Sequence, residues 1–341
     1  MSTERLNIDK IAKLALVSRS VVSRVLNNHP NVSDEARKRV MDVVTKYNYR
    51  PSSVARSLAT DSMFEIGIFA TRRGDEALGN GFWTLLHLGI FEECIKRGYF
   101  VTLSFFSTRM KKKAYNFLLN ERRFDGYILL TQEVADLVYD VINERKIPTV
   151  LVGQNDNNKI FSIDVDNYTG GYKAAKHLIE LGHKNIGIIL AGLNLKETTD
   201  RLEGYKSALR DSNIDIDEGN IIMGDYSQRF GYETMYSWLK EKPEMTAVFC
   251  ASDTLAMGAL LALYKSSVRV PDDFSIIGFD DLNFSKYLTP PLTTIQQPIF
   301  KKGKKAAKLL IDQIEKKITD PVNINLEPEL IIRESSKKLV D

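Results

Sequence analysis

The sequence predicts an all-α head at the N-terminus, a short hinge, and an α/β body built from two parallel-sheet lobes. Three observations lead to this prediction. Residues 1–50 contain only short helical patterns, residues 51–61 have the composition of a linker, and from residue 64 short apolar strands alternate with amphipathic helices.

The head contains three amphipathic segments that are each only a few turns long. Asn7, Ser18 and Ser33 precede them and are typical N-cap residues. The first two segments are separated only by the few residues around positions 15–17. Two short helices, a tight turn and a third supporting helix together indicate a helix-turn-helix unit within residues 1–50.

Residues 51–61 are predicted to connect the head to the body. Pro51 ends the preceding helix, and Ser52 or Ser53 can cap a short helix that runs through Ala59. A helix of this length is not stable alone in water, so we expect it to fold only when another surface supports it.

The body contains nine strand-like apolar runs in two series. The first series lies at residues 65–70, 100–106, 126–130 and 149–153, and the second at residues 162–165, 186–190, 221–224, 247–251 and 275–279. Short apolar strands joined by helices indicate parallel sheets with both faces covered. So many strands predict two similar lobes rather than one sheet, with a ligand site between the lobes at the carboxyl ends of the strands.

We expect the body to span residues 62–335. One lobe then comprises about 62–160 together with 292–319, and the other about 161–291 together with 320–335. The tail after Arg333 is eight residues long and lacks the leucine heptads of a tetramerisation helix, so we expect a dimer.

Composition excludes several classes of protein. Of the 341 residues, 43% are hydrophobic and 27% are charged, as in ordinary globular proteins. Cys94 and Cys250 lie in apolar runs and are expected to be buried thiols, which fits a reducing cytoplasm and excludes a disulfide framework. No apolar run approaches the length of a membrane span, and the N-terminus lacks the apolar core of a signal peptide.

The net charge of +3 is unevenly distributed along the chain. Residues 1–60 carry 11 basic and 5 acidic residues, whereas the remainder carries 36 basic and 39 acidic residues. A small basic head on a mildly acidic body indicates that the head binds a polyanion.

The strongest functional signal is the run Leu16-Val-Ser-Arg-Ser-Val-Val-Ser-Arg-Val-Leu-Asn27. An otherwise apolar helix here has a polar side formed by Ser18, Arg19, Ser20, Ser23 and Arg24. Arginine can bridge guanine O6 and N7 in the major groove of DNA, and serine hydroxyls can reach bases or phosphates. The alternative is an ordinary solvated helix face, which the preceding turn, the basic head and the linker all disfavour.

Residues 7–61 resemble the DNA-binding head of the LacI/GalR family of bacterial transcription regulators. The matching segments are Ile11-Ala12, Val17-Ser18, Val22-Ser-Arg-Val-Leu-Asn27, Asn31-Val-Ser33, Tyr49-Arg-Pro51 and Val54-Ala-Arg-Ser-Leu-Ala59. The resemblance implies that the polar residues of the second helix read bases, with Arg19 and Ser20 at variable positions and Arg24 at an invariant-type position. It also implies that the phosphate backbone is positioned by Asn27, His29, Ser33 and Tyr49.

The resemblance extends to the turn and the linker. The family often has glycine where this chain has Leu16, so we expect a less left-handed turn here. Residues 54–59 resemble the hinge helix that orders on the operator, where Leu58 wedges between central base steps in the minor groove with Ala55 beside it. Two hinge helices must meet on the operator, so DNA binding implies a homodimer; the alternative is an inert spacer.

The resemblance continues through the body to about Arg333 and implies the fold of periplasmic sugar-binding proteins. The motifs that carry it are Asp164-Val-Asp-Asn-Tyr-Thr-Gly-Gly171, Leu178-Ile-Glu-Leu-Gly-His183, Arg201-Leu-Glu-Gly-Tyr205, Ala251-Ser-Asp-Thr-Leu-Ala-Met-Gly258, Ile277-Gly-Phe-Asp-Asp281 and Pro290-Pro-Leu-Thr-Thr-Ile295.

Candidate effector contacts follow from this resemblance. Arg201 is expected to grip vicinal hydroxyls or a carboxylate, with a surface salt bridge as the alternative. Asp280 is expected to accept sugar hydroxyls, with Asp281 as an alternative ligand or a turn cap, and Asp253 is expected to be structural. Three further candidates are Ser252, which stands where many members have asparagine, Tyr226, which is expected to be an aromatic platform, and Gln297, which follows the crossover strand. The opposite wall of the site is expected to be formed by Asn80, Phe82 and Trp83, although these residues could equally belong to the core.

Three further stretches bear on the body. Residues 71–81 depart from the family pattern, and Val152-Gly-Gln154 stands where many sugar-binding members carry an aspartate. The lysines at residues 301–308 and 316–317 are expected to form a solvated helix face.

Two rival classes fit the sequence less well. An enzyme would need a phosphate-binding glycine loop, a His-Glu-x-x-His or a Gly-x-Ser-x-Gly motif, and the four histidines lack metal-ligand spacing, so we expect no catalysis, cofactor or metal. An exported sugar-binding protein has no use for a basic helix-turn-helix head. The sequence therefore predicts a cytoplasmic, dimeric repressor of pseudo-palindromic operator DNA, with no membrane partner, controlled allosterically by a small sugar-like effector.

Overall fold

The computed structural model describes residues 7–26, 29–47, 49, 62–71, 81–106, 119, 123–154, 160–192 and 195–339. The chain separates into two compact units, Met1–Phe64 and Glu65–Asp341. Within the described ranges, no helix is long and apolar enough to cross a membrane.

The head is formed by three helices, α1 (Ile8–Ala15), α2 (Arg19–Leu26) and α3 (Asp34–Lys46). The predicted N-caps Asn7, Ser18 and Ser33 each accept a hydrogen bond from the amide three residues further on, at 2.9, 3.3 and 3.3 Å. The apolar faces of the helices meet in one small core, which contains Ile11, Ala12, Ala15, Val22, Val25 and Val40. The predicted helix-turn-helix arrangement is therefore present in the head.

The turn between α1 and α2 differs from expectation at Leu16. Its backbone is left-handed, with φ 55° and ψ 47°, although leucine carries a Cβ atom that disfavours this conformation. Two bonds require it: the amide of Val17 donates to the carbonyl of Ala12 at 3.0 Å, and the amide of Leu16 donates to that of Lys13 at 3.4 Å. The expectation of a less left-handed turn is thus wrong, because closure of the helix end outweighs the preference of the residue.

Twelve described strands form the body. They are β1 (Glu65–Thr71), β2 (Phe100–Phe106), β3 (Gly126–Leu129), β4 (Thr149–Val152), β5 (Phe161–Val165), β6 (Ile186–Ala191), β7 (Ile221–Gly224), β8 (Ala247–Cys250), β9 (Ser275–Asp280), β10 (Thr293–Gln296), β11 (Asn323–Leu326) and β12 (Glu329–Ile331). The first sheet has the order β11-β5-β4-β3-β1-β2 and the second the order β12-β10-β9-β8-β6-β7. All neighbours run parallel except β10 and β12.

Helices cover both faces of each sheet. They are α4 (Gly81–Lys96), α5 (Gln132–Arg145), α6 (Asn167–Glu180), α7 (Lys196–Asp211), α8 (Gln228–Glu241), α9 (Asp253–Lys265) and α10 (Ile299–Ile314). In the first lobe α4 and α10 cover one face and α5 the other, and in the second lobe α6 and α7 oppose α8 and α9. Cys94 and Cys250 are buried free thiols within these cores, as expected.

The chain crosses between the lobes at positions that differ from the expected boundaries. Residues 161–165 belong to the first lobe, because β5 pairs with β4. Residues 293–296 belong to the second lobe, because β10 pairs with β9, and residues 323–326 return to the first lobe through pairing of β11 with β5. Three connections therefore join the lobes, after Val165, after Gln296 and after Leu326.

Candidate functional site

The predicted base-reading residues lie on the open side of α2. Ser18, Arg19, Ser20 and Arg24 are exposed, and Ser23 is half-buried. The opposite side of the helix buries Val22 and Val25 in the core of the head. This helix therefore presents hydroxyl and guanidinium groups to solvent, while its opposite side is anchored in the core of the head.

Arg19 has one weak neighbour on the first helix. Its Nε lies 3.7 Å from the carboxylate of Asp9, and the two side chains are 72% and 56% exposed. An ion pair this exposed contributes little energy, so the guanidinium can leave Asp9 for a phosphate or a base edge.

Three of the predicted backbone-positioning residues are described. His29 is exposed, and its carbonyl accepts a hydrogen bond from Arg37 at 2.7 Å. Ser33 caps α3, and Tyr49 lies half-buried against the core of the head, where burial raises its pKa. Asn27 lies outside the described residues, as do Ala55 and Leu58 of the predicted hinge.

In the body, Arg201 lies on α7 and is buried, with 6% of its surface exposed. Its Nε donates to Asn167 Oδ1 at 2.8 Å and its Nη1 donates to the carbonyl of Ala251 at 2.6 Å. Its Cζ lies 3.8 Å from the centroid of the Phe279 ring. The alternative of a surface salt bridge is excluded, because the side chain is buried and these hydrogen bonds go to an amide oxygen and a backbone carbonyl.

Asp280 ends β9 with its carboxylate buried beside the second crossover. Its Oδ1 accepts a hydrogen bond from Gln297 Nε2 at 2.6 Å. The backbone of Asp280 has φ 117° and that of Asp281 has φ 55°, conformations that cost about 1–3 kcal/mol each and persist only where neighbours impose them. Burial raises the pKa of Asp280, and the charges of Arg201 and Lys302 oppose that shift.

Asp281 and Asp253 hold the segments around Asp280 in place by accepting hydrogen bonds from them. Asp281 accepts from Gln296 at 2.7 Å and from Arg333 at 2.5 Å. Asp253 accepts from three donors, namely the amide of Leu282 at 2.7 Å, Ser285 Oγ at 2.5 Å and Thr294 Oγ1 at 2.6 Å. Burial raises its pKa, and the neighbouring Asp280 adds to the shift. Asp253 therefore fastens the strand ends beneath the site, in keeping with the structural role expected of it.

Ser252 and Tyr226 border the same region. Ser252 is buried and its Oγ caps α9 by accepting from the amide of Leu255 at 3.2 Å. Tyr226 is half-buried, and burial raises its pKa to about 12. Tyr226 follows β7 and Asp280 ends β9 of the same sheet. Arg201 donates to the carbonyl of Ala251, which follows β8, so these residues lie at one edge of the sheet.

The predicted opposite wall is only partly described. Phe82 and Trp83 are half-buried against the core of the first lobe and pack edge to face, with 5.2 Å between their ring centroids. The Nζ of Lys302 lies 5.1 Å from the Phe82 centroid, which places Phe82 beside the polar network. Asn80 lies outside the described residues.

Lys302 also belongs to this buried polar network, and the sequence does not predict it as a site residue. It is 3% exposed, and its Nζ donates to Asp164 Oδ1 and to Gln297 Oε1, each at 3.1 Å. The expectation of a solvated lysine face is wrong at this position. Helical spacing from Ile299 puts Lys302 on the apolar face of α10, together with Gly303, Ala306, Ala307, Leu310 and Ile311.

Asn167, Asp164 and Glu197 were also not singled out as site residues. Asn167 is fully buried and its Nδ2 donates to Asp164 Oδ2 at 3.1 Å. Burial raises the pKa of Glu197, and the charge of Asp164 adds to this shift. The motif Asp164-Val-Asp-Asn167 stood out in the sequence, but nothing local indicated that its side chains turn toward Arg201.

Known families match both units of the chain. Residues 7–52 match the bacterial regulatory proteins of the lacI family, and residues 175–336 match the periplasmic binding protein-like domain. The HTH-type transcriptional repressor PurR of Mannheimia succiniciproducens is 35% identical over 335 residues, which cover 97% of this chain and 99% of the relative.

The chain belongs to the lacI family of bacterial regulatory proteins. The predicted resemblance and the predicted fold are confirmed. As a lacI-family member, it is a DNA-binding transcriptional repressor with a ligand-binding sensor domain, and its relatives are repressors rather than enzymes. Among the described residues, no group of His, Cys, Asp or Glu is arranged to hold a metal ion.

Three solved structures of transcription regulators are similar to the chain. The regulator CelR in complex with cellobiose is 29% identical with a TM-score of 0.74, covering 97% of this chain and 100% of CelR. A LacI family regulator from Enterococcus faecium with bound ribose is 28% identical with a TM-score of 0.71, covering 81% and 100%. The lac repressor dimer bound to operator and the anti-inducer ONPF is 26% identical with a TM-score of 0.82, covering 98% and 100%.

Proposed function

We propose that the chain is a homodimeric repressor whose affinity for a pseudo-palindromic operator is controlled by a small sugar-like effector bound between the lobes. The observation that carries this proposal is the convergence of Arg201, Asp280 and Tyr226 at the carboxyl ends of the second-lobe strands. Asp280 ends β9, Tyr226 follows β7, and Arg201 donates to the carbonyl that follows β8. Ligands of open parallel sheets bind at this edge.

The chemistry of these residues suits a polyhydroxylated ligand. The guanidinium of Arg201 offers planar donors, the carboxylate of Asp280 accepts hydroxyl protons, and the ring of Tyr226 can pack on an apolar sugar face. Cellobiose and ribose occupy the similar CelR and Enterococcus faecium proteins. A ring N–H and a ring carbonyl would also satisfy Asp280 and Arg201, so nitrogen heterocycles such as purine bases belong among the ligands to be tested.

Operator recognition is assigned to α2 and the hinge. Arg19, Ser20 and Arg24 are proposed to read base edges in the major groove, and Ser18 and Ser23 complete the polar side of the helix. His29 and Ser33, with Asn27 and Tyr49, are proposed to position the phosphates. Leu58 is proposed to wedge the central base step from the minor groove, with Ala55 beside it.

An exposed apolar surface on the second lobe supports the dimer. A groove between α8 and α9 is lined by Tyr232, Leu261, Tyr264 and Leu288, and Leu261 and Tyr264 are 47% and 80% exposed. A groove with exposed apolar side chains at its rim can receive apolar side chains of a partner protein. Since the similar lac repressor is a dimer, a second copy of this chain is the proposed partner.

The proposed coupling passes through the connections between the lobes. An effector that binds one arrangement of the lobes more tightly than another shifts the population toward it, and the hinge helices then join or separate. The change in operator affinity cannot exceed what the differential affinity of the bound effector for the two arrangements supplies.

Intrinsic fluorescence tests the effector assignment. The full-length protein is titrated with sugars, sugar phosphates and purine bases. Trp83→Phe identifies the contribution of Trp83, which packs against Phe82. Calorimetry covers ligands that leave the fluorescence unchanged. Saturable binding of a sugar that Arg201→Lys weakens supports the proposal. Saturable binding of a purine base, with no sugar bound, replaces the sugar with a heterocycle.

A further inference from the structure

Lys302 lies at the centre of a buried hydrogen-bond network that links the two lobes. Its Nζ donates at 3.1 Å to Asp164, on β5 of the first lobe, and at 3.1 Å to Gln297, which follows β10 of the second lobe. The Lys302 and Asp164 side chains are only 4% and 7% exposed. A buried ion pair of this kind needs hydrogen-bond partners around it to offset desolvation, and the network supplies them.

Two arms lead from this pair to candidate effector contacts. In one arm Gln297 Nε2 donates to Asp280 Oδ1 at 2.6 Å. In the other arm Asn167 Nδ2 donates to Asp164 Oδ2 at 3.1 Å, and Arg201 Nε donates to Asn167 Oδ1 at 2.8 Å. Asp280 and Arg201 are therefore joined through the Lys302–Asp164 pair.

The two amides in the network have only one workable orientation. An ammonium group can only donate, so Gln297 must turn its oxygen toward Lys302 and its NH2 group toward Asp280. A carboxylate can only accept, so Asn167 must turn its NH2 group toward Asp164 and its oxygen toward Arg201. The ion pair thereby sets the direction of every hydrogen bond out to the effector site.

We infer that Lys302 is a positioning residue: it holds the Gln297 amide in one orientation, and that amide fixes the place of the Asp280 carboxylate, the acceptor of the effector site. The inference rests on the proposed effector site and narrows its ligand class. A matching effector carries a hydroxyl or ring N–H for Asp280 and an acceptor atom for Arg201. Lys302 acts through Gln297, because its ammonium is engaged by Asp164, Gln297 and the Phe82 ring.

The first test needs no effector. The chain contains six glutamines, so selective ¹⁵N-glutamine labelling of the full-length protein gives a simple spectrum of side-chain NH2 groups, in which Gln297→Leu identifies the Gln297 signal. Lys302→Met is expected to speed solvent exchange of that NH2 group by about tenfold or more, because the amide is free to leave Asp280. Lys301→Met, an exposed neighbour on the same helix, is the matched control and should leave the signal unchanged.

A second variant separates positioning from a purely structural role. Lys302→Met leaves the Asp164 carboxylate buried without its partner, whereas Lys302→Met combined with Asp164→Asn removes both charges. The double variant is expected to recover resistance to urea while the Gln297 signal keeps its fast exchange. A Gln297 signal that stays protected in both variants would overturn the inference.

A further experiment measures effector binding, with ribose as the probe. Both Lys302 variants are expected to bind ribose about tenfold or more weakly, and Lys302→Met should add nothing in a Gln297→Leu background, because the two residues act in series. Independent, additive losses would overturn the route through Gln297. Failure of ribose to bind the unaltered protein counts against the sugar effector alone, since the glutamine spectrum still decides the role of Lys302.

Discussion

The carbonyl oxygen of Arg201 lies only 2.2 Å from the position that a Cβ atom on Gly171 would occupy. The contact is reciprocal, because a Cβ atom on Gly204 would lie 2.1 Å from the carbonyl oxygen of Tyr168. Helices α6 and α7 therefore touch backbone to backbone. This close approach sets the position of Arg201 relative to Asn167 on the neighbouring helix.

Gly171→Ala is expected to force α6 and α7 apart. The added methyl group meets rigid backbone, so the free energy of unfolding should fall by about 1–3 kcal/mol, and ligand binding through Arg201 should weaken. Urea unfolding measures the first effect. The control is Gly81→Ala, whose Cβ atom would lie 3.7 Å from Leu282 and should be close to neutral. Equal stability of the two variants would contradict the close approach.

Leu16→Gly is expected to stabilise the head. Leu16 is 80% exposed and left-handed, so glycine loses little packing and removes strain of roughly 1 kcal/mol. Thermal unfolding of the full-length protein, followed through the transition of the head, measures the gain. Leu16→Ala keeps the Cβ atom and should show no comparable gain; if it matches Leu16→Gly, the strain is not at the backbone.

Much of the fold could be predicted from local patterns, but sheet membership could not. The sequence predicts a strand at the run that forms β5 and a crossover strand at β10. The lobe that each joins depends on its pairing, with β4 and with β9, and a local apolar pattern does not show pairing. The prediction of a solvated Lys302 is wrong because lysine is usually exposed, whereas the spacing from Ile299 places this one on the buried face. The prediction for Leu16 is wrong because the end of the helix imposes the left-handed conformation.

The sequence predicts those site residues whose own side-chain type indicates a binding role. The sequence predicts Arg201, Asp280, Gln297 and Tyr226 as site residues, and the structure brings them to one edge of the second sheet. The sequence does not indicate the role of Asn167, because that role depends on the geometry between two helices.

Arg24→Ala is expected to weaken binding to a specific operator by roughly 1–3 kcal/mol, because a bidentate arginine contact to guanine is worth that much. Binding to random-sequence DNA should change little, since phosphate contacts supply most of it. Fluorescence anisotropy with both duplexes at one salt concentration measures the difference. Equal losses on the two duplexes would remove Arg24 as a base reader.

Arg201→Lys is expected to weaken effector binding by roughly 1.5–3 kcal/mol, because lysine cannot reproduce the planar fork or the contact with Phe279. Operator binding without effector should persist. The control is Arg210→Lys on the same helix, whose partner Glu203 is 3.7 Å away and whose side chain is 55% exposed. Similar effector affinities for both variants would exclude Arg201 from the site.

His183 should make the stability of the second lobe depend on pH. Its Nδ1 lies 2.9 Å from Thr246 Oγ1, its Nε2 lies 3.0 Å from Ser275 Oγ, and burial lowers its pKa below the ordinary 6.5. A lowered pKa favours folding above 6.5, and this contribution is lost as the pH falls through the folded value. Urea unfolding across that range should show a smaller pH slope for His183→Gln; parallel slopes would contradict the assignment.

The most direct test of ligand-controlled repression is operator binding measured with and without effector. A duplex selected from random sequences by the full-length protein is titrated in the absence and presence of the ligand found in the fluorescence panel. We expect operator affinity to change by roughly 5–150-fold, with the same factor recovered when ligand affinity is measured with and without operator. Ligand binding that leaves operator affinity unchanged would contradict a coupling between the lobes and the DNA-binding head.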